Sequence, residues 1–104
     1  MEAMMPCFNG VSHIALTVRD MRVSADWYER VLGFGFVTEF HVAPGDAGVP
    51  RILLLYQASG LLLSLCGHPG RTGDAFDPRR TGLDHIAFEV ADRAELGSWM
   101  APPR

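Results

Sequence analysis

GLDHIAFEVAD, residues 82–92, repeats GVSHIALTVRD, residues 10–20, at an offset of 72. Glycine, histidine, isoleucine, alanine, valine and aspartate recur, six positions of eleven. At the same offset Trp27 falls on Trp99. A match that keeps a cap residue and a tryptophan in register marks a duplicated unit, and a repeat of this kind decides how the rest of the chain is divided.

The first copy is complete enough to be read element by element. VSHIALTV is rich in apolar and β-branched residues and predicts a buried strand. Asp20 stands where a helix N-cap belongs, and Met21, Ala25, Tyr28 and Leu32 follow at helical spacing, with Trp27 and Val31 widening the stripe. Gly33 closes that helix. FGFVTEFHV predicts a second strand, APGDAGVP a loop, and RILLLYQ and LLLSLC two more strands joined by the short turn ASG. The order is strand, helix, strand, strand, strand.

The glycine-rich, charged segment 67–81 reads as a linker, preceded by a loose tail over 1–9 and the first unit over 10–66. In the remainder, 82–104, LDHIAFEV predicts another strand, and Asp92 with Glu95 forms a capping-box pattern ahead of a helix whose apolar side is Leu96, Trp99 and Met100. The expectation is therefore an α+β protein, one βαβββ module followed by the first strand and helix of a second. A strand without its own sheet leaves an edge open, which predicts a homodimer.

Composition narrows the function classes. The 104 residues are 48% hydrophobic and 20% charged, with a net charge of −3. That is ordinary for a globular domain and gives no reason to expect nucleic acid or an anionic membrane as partner. No apolar run reaches the roughly 20 residues needed to span a bilayer. The N-terminus lacks the pattern of a signal peptide, and Cys7 and Cys66 read as free thiols, so a cytoplasmic location is expected.

HIALTVRD followed by WYERVLGF, with GLDHIAFEV later, resembles the vicinal oxygen chelate superfamily, which includes glyoxalase I, the bleomycin-resistance proteins and the extradiol dioxygenases. The resemblance covers nearly the whole chain. It implies paired modules whose sheets curve around a divalent metal and a small-molecule ligand. The ligand positions it implies match His13 and His85 here, place Ser64 at a third, and leave a fourth, usually glutamate, in a segment this sequence does not carry. Iron, zinc, nickel or manganese would suit two imidazoles and a carboxylate.

Strand alternation supports a common face for the histidines and their neighbours. His13, Ala15 and Thr17 point one way, and Ile14, Leu16 and Val18 the other. His85, Ala87 and Glu89 alternate likewise, but Glu89 lies roughly 13 Å along the strand from His85, too far to complete its ligand set. Ser64 is a poor ligand for such ions, so a metal-free pocket reads equally well. Thr17, Tyr56 and His68 are the further pocket candidates, with Phe36 and Phe40 alternating on the second strand. Glu39 and His41 could lean toward the pocket from a strand end. Arg71, Arg79 and Arg80 read either as partners for Asp74, Asp77 and Asp84 or as an anion grip. No nucleophile–base pair, phosphate loop or CxxC motif identifies a catalytic residue. Three functions remain in view: a metal-dependent lyase or dioxygenase, a metal-free sequestering protein of the bleomycin-resistance type, or an inactive truncated fragment.

Overall fold

The computed structural model describes residues 5–42, 48–68 and 75–101. They fall into two compact units, Met1–Asp74 and Ala75–Arg104.

The first unit runs β1 (His13–Thr17), α1 (Met21–Leu32), β2 (Gly35–Val42), β3 (Val49–Tyr56) and β4 (Leu61–Cys66). This is the expected strand–helix–strand–strand–strand order. The sheet order is β1-β4-β3-β2, with β1 parallel to β4 and the other pairs antiparallel. The parallel pair is possible because α1, β2 and β3 intervene between its members.

Both ends of α1 obey local chemistry. Asp20 Oδ1 accepts from the backbone N–H of Arg22 and Val23 at 3.1 Å each, satisfying two first-turn donors. Gly33 takes the left-handed conformation, φ 81°, and its N–H donates to the Glu29 carbonyl. Between these caps Met21 and Ala25 are buried, with Tyr28 and Leu32 packed beside them. Trp27 does not widen this stripe as expected. It is 45% exposed and meets Tyr28 edge-on, with ring centroids 5.1 Å apart.

The core lies between α1 and one face of the sheet. Ile52 and Leu54 from β3, and Leu63 and Leu65 from β4, interlock there with Met21, Ala25 and Phe34, and Ile14 and Leu16 of β1 flank them. Leu54, Leu63 and Leu65 are almost completely excluded from solvent, as befits the two central strands. Alternation then turns every second residue of the same strands to the opposite, open face.

One feature of β2 breaks the simple alternation. A bulge between Phe36 and Thr38 shifts its register on β3, so Phe36 pairs with Leu54 while Phe40 pairs with Arg51. Paired residues share a face, so Phe36 and Phe40 stand on opposite faces.

In the second unit, Asp92 caps α2 (Arg93–Met100), accepting from the Glu95 N–H at 2.9 Å. The strand expected over 83–90 is not formed: no ladder pairs it among the described residues. The reason is physical, since a strand exists through a hydrogen-bonded neighbour, and this is the one β-prone stretch of its unit. Leu83, Phe88, Leu96 and Met100 are accordingly exposed.

Candidate functional site

The open face of the first unit carries a cavity of about 390 Å³ lined by His13, Ala15, Phe40, Arg51, Leu53, Leu62 and Ser64. Register explains the grouping. His13 pairs with Leu62 and Ala15 with Ser64 across β1/β4. Leu53 pairs with Ser64 across β3/β4, and Phe40 with Arg51 across β2/β3. Ser64 therefore sits at the middle of the face, diagonal to His13 on one side and to Arg51 on the other. Apolar side chains make the floor and the three polar groups run across it.

Each polar group has a defined setting. Ser12 Oγ lies 3.2 Å from His13 Nδ1. Arg51 is half-buried, and its Nη1 donates to Cys66 Sγ at 2.8 Å, holding the guanidinium against the open face. Ser64 is 5% exposed, and its Oγ is buried without a hydrogen-bond partner. Such an atom is costly to leave unmatched and marks a place where a bound group can help.

The other anticipated residues are distributed less neatly. Thr17 continues the face of His13 and Ala15, exposed, without lining the cavity. Tyr56 lies on the opposite, helix-side face, its ring 5.3 Å from that of Phe34, because alternation groups it with Ile52 and Leu54. Burial there raises the pKa of Tyr28, the next ring in that stack, above the usual phenol value. His68 is half-buried just beyond β4. Glu39 is engaged by Arg22, whose Nη2 donates to both carboxylate oxygens at 2.9 and 2.8 Å. By alternation Glu39 and His41 share the face opposite Phe40, so neither leans toward the cavity. Sequence reasoning missed Arg51; the signal available was a charged residue alternating with Leu53 and Leu55 in an otherwise apolar strand.

His85 belongs to the second unit. It is exposed, and its Nδ1 lies 2.9 Å from Asp84 Oδ2. The repeat thus extends to a detail: in each copy the residue before the histidine sits on Nδ1. Of the linker arginines, Arg79 grips Asp77 through Nε and Nη2 at 3.0 and 3.1 Å, which holds the Asp77 carboxyl below its usual range. Asp84 engages His85, and Arg71 and Asp74 lie outside the described residues.

The divalent metal that the fold implies can be tested against these donors. Among the described residues no group of three or more His, Cys, Asp or Glu side chains is arranged to hold an ion. The cavity lining offers one imidazole, one hydroxyl and one guanidinium, of which only the imidazole is a good ligand for such an ion. The described donors that line this cavity do not by themselves fit the metal.

A βαβββ unit with an open, pocketed sheet face defines a class of small-molecule-handling modules. Residues 10–101 match the Glyoxalase/Bleomycin resistance protein/Dioxygenase superfamily, and the chain belongs to it. It is similar to the structure of a glyoxylase/bleomycin resistance protein/dioxygenase domain from Frankia sp. EAN1pec, at 31% identity and a TM-score of 0.78, covering 90% of this chain and 66% of that one. The fosfomycin resistance protein FosX from Listeria monocytogenes, complexed with Mn(II) and sulfate, shares the fold at 18% identity and a TM-score of 0.63, over 90% of this chain and 68% of that one. A glyoxalase family protein from Enterococcus faecalis does so at 20% and 0.65, over 89% and 71%. This chain thus spans about two thirds of the length of the Frankia domain and FosX. No curated protein matches it. No helix among the described residues is long and apolar enough to cross a membrane.

Proposed function

We propose that this protein binds a small organic molecule on the open sheet face of its first unit. The observation that carries the reading is a cavity with an apolar floor whose lining includes Ser64, a buried residue whose hydroxyl has no hydrogen-bond partner. Membership of the superfamily supports it, as does the general character of ligand sites, which are mostly apolar with a few placed polar groups.

Of the two ways such a module works, metal-free binding of the bleomycin-resistance kind is favoured over lyase or dioxygenase chemistry. FosX holds Mn(II), which supports a divalent metal in the fold. In this chain the candidate ligands for one are His13 and His85, carried on different units. The donors around His13 favour an oxygen-bearing organic ligand instead.

The test is a titration of the ¹⁵N-labelled chain with benzyl alcohol, together with elemental analysis of protein purified without a histidine tag. The amides of Ala15, Leu53, Leu62 and Ser64 are expected to shift, with no stoichiometric metal present. Near-stoichiometric manganese, iron, nickel or zinc, lost in a His13→Ala/His85→Ala variant, would replace this reading with the metal-dependent one.

A further inference from the structure

The polar groups of the cavity differ in what they can offer a ligand. Arg51 Nη1 is engaged by Cys66 Sγ, and the Ser64 hydroxyl is enclosed within the protein. His13 is exposed at the start of β1, and its ring lines the cavity. Its Nδ1 lies 3.2 Å from Ser12 Oγ, and among the described residues its Nε2 has no hydrogen-bond partner. We infer that His13 is the hydrogen-bonding anchor of this cavity, that its Nε2 takes the hydroxyl of a phenol, and that Ser12 is the residue positioning the ring.

This inference rests on the reading of the open face as a ligand-binding surface and names the ligand's chemistry. A neutral imidazole carries one donor and one acceptor nitrogen, and the partner of Nδ1 decides which role is left to Nε2. The Ser12 hydroxyl both donates and accepts, so His13 can present Nε2 in either role. A ligand hydroxyl matches both roles, whereas a carbonyl matches only one. The second copy of the repeat shows the contrast: the Asp84 carboxylate, 2.9 Å from His85 Nδ1, only accepts and fixes that nitrogen as a donor. The aromatic body follows from the floor. His13 pairs with Leu62 and shares its face with Ala15, whose small side chain leaves the space beside the imidazole open. Leu53 extends this apolar floor, and Phe40, 37% exposed, offers a ring on which a flat body can stack. A ring bearing a single hydroxyl satisfies His13 at one end and sets no unmatched polar atom over the floor. Because His13 is exposed, water competes for Nε2 and the gain from the hydrogen bond is modest.

The experiment titrates p-cresol and toluene, which differ only by the hydroxyl, into the ¹⁵N-labelled chain with EDTA present, and follows the cavity amides and the ring nitrogens of His13. p-Cresol is expected to bind about 3- to 10-fold more tightly than toluene and to shift the His13 ring nitrogens. His13→Leu should abolish that advantage and leave toluene binding unchanged, which also shows that the variant is folded. Ser12→Ala should alter the tautomer balance read from the His13 ring nitrogens and remove part of the advantage. Equal affinity of the parent for the two probes, or an advantage that survives in His13→Leu, overturns the inference, while toluene binding leaves the site itself standing. Ring nitrogens unchanged in Ser12→Ala overturn the positioning role of Ser12. If neither probe moves the amides of Ala15, Leu53 and Leu62, the inference and the proposed function both fall.

Discussion

Ser64 shows how one residue can be adequate for folding yet unfinished as a site. Its hydroxyl is enclosed on the open face without a hydrogen bond, so Ser64→Ala removes an unmet polar atom. The variant should be as stable as the parent or more stable by about 1 kcal/mol. A clear loss in thermal denaturation would show that the hydroxyl has a structural partner. Tyr28 makes a second residue-scale prediction. Burial raises its pKa, so the neutral phenol is favoured in the folded state. Its stabilising contribution is complete below the ordinary phenol pKa and is lost as pH rises through the elevated folded value. Absorbance at 295 nm should show a late tyrosine transition that disappears in Tyr28→Phe. At this scale the sequence was informative about His13, whose face follows from strand alternation, and silent about the Arg51–Cys66 contact. That contact depends on which strands lie side by side, and nothing local to Arg51 records it.

At the scale of elements, α1 was legible to the residue because its signals are local: Asp20 supplies first-turn acceptors and Gly33 the left-handed exit. Asp20→Ala should cost about 1 kcal/mol in denaturant unfolding. Gly33→Ala should cost a similar amount, about 1 kcal/mol, through backbone strain alone. A Cβ at Gly33 would meet nothing nearer than the Tyr56 ring at 4.0 Å. A neutral result for either would mean that the caps are not what ends the helix. β2 was legible as a strand but not in its facing. The bulge between Phe36 and Thr38 comes from fitting β2 to β3, and the pattern Phe36…Phe40 gave no warning of it. Residues 83–90 teach the converse. Their composition is that of a strand, but strand formation requires a neighbour, and composition cannot supply one.

At the scale of the whole molecule, the repeat and the WYERVLGF motif carry the family resemblance, and the division into Met1–Asp74 and Ala75–Arg104 leaves each unit with exposed apolar surface. Strands β1 and β2 are the outer members of the first unit's sheet, and outer strands present unpaired backbone groups. We expect these edges to be covered by a second copy of the chain. Size-exclusion chromatography with light scattering should show a dimer, and a stable monomer would contradict this. The site was harder to read than the fold because it is assembled from β1, β2, β3 and β4 at once. Histidines could be found by the repeat, whereas the apolar floor of Ala15, Leu53 and Leu62 looks like any other core-forming sequence.

The central claim is that a small molecule occupies the open face between His13 and Arg51. Ala15 offers the most direct access to it, since it is exposed, lines the cavity and pairs with Ser64. Ala15→Phe fills that space from the solvent side and leaves the helix-side core untouched. The account predicts that this variant unfolds at the parent's temperature and binds benzyl alcohol at least about tenfold more weakly in the same ¹⁵N titration. Undiminished binding in a folded Ala15→Phe chain would contradict it.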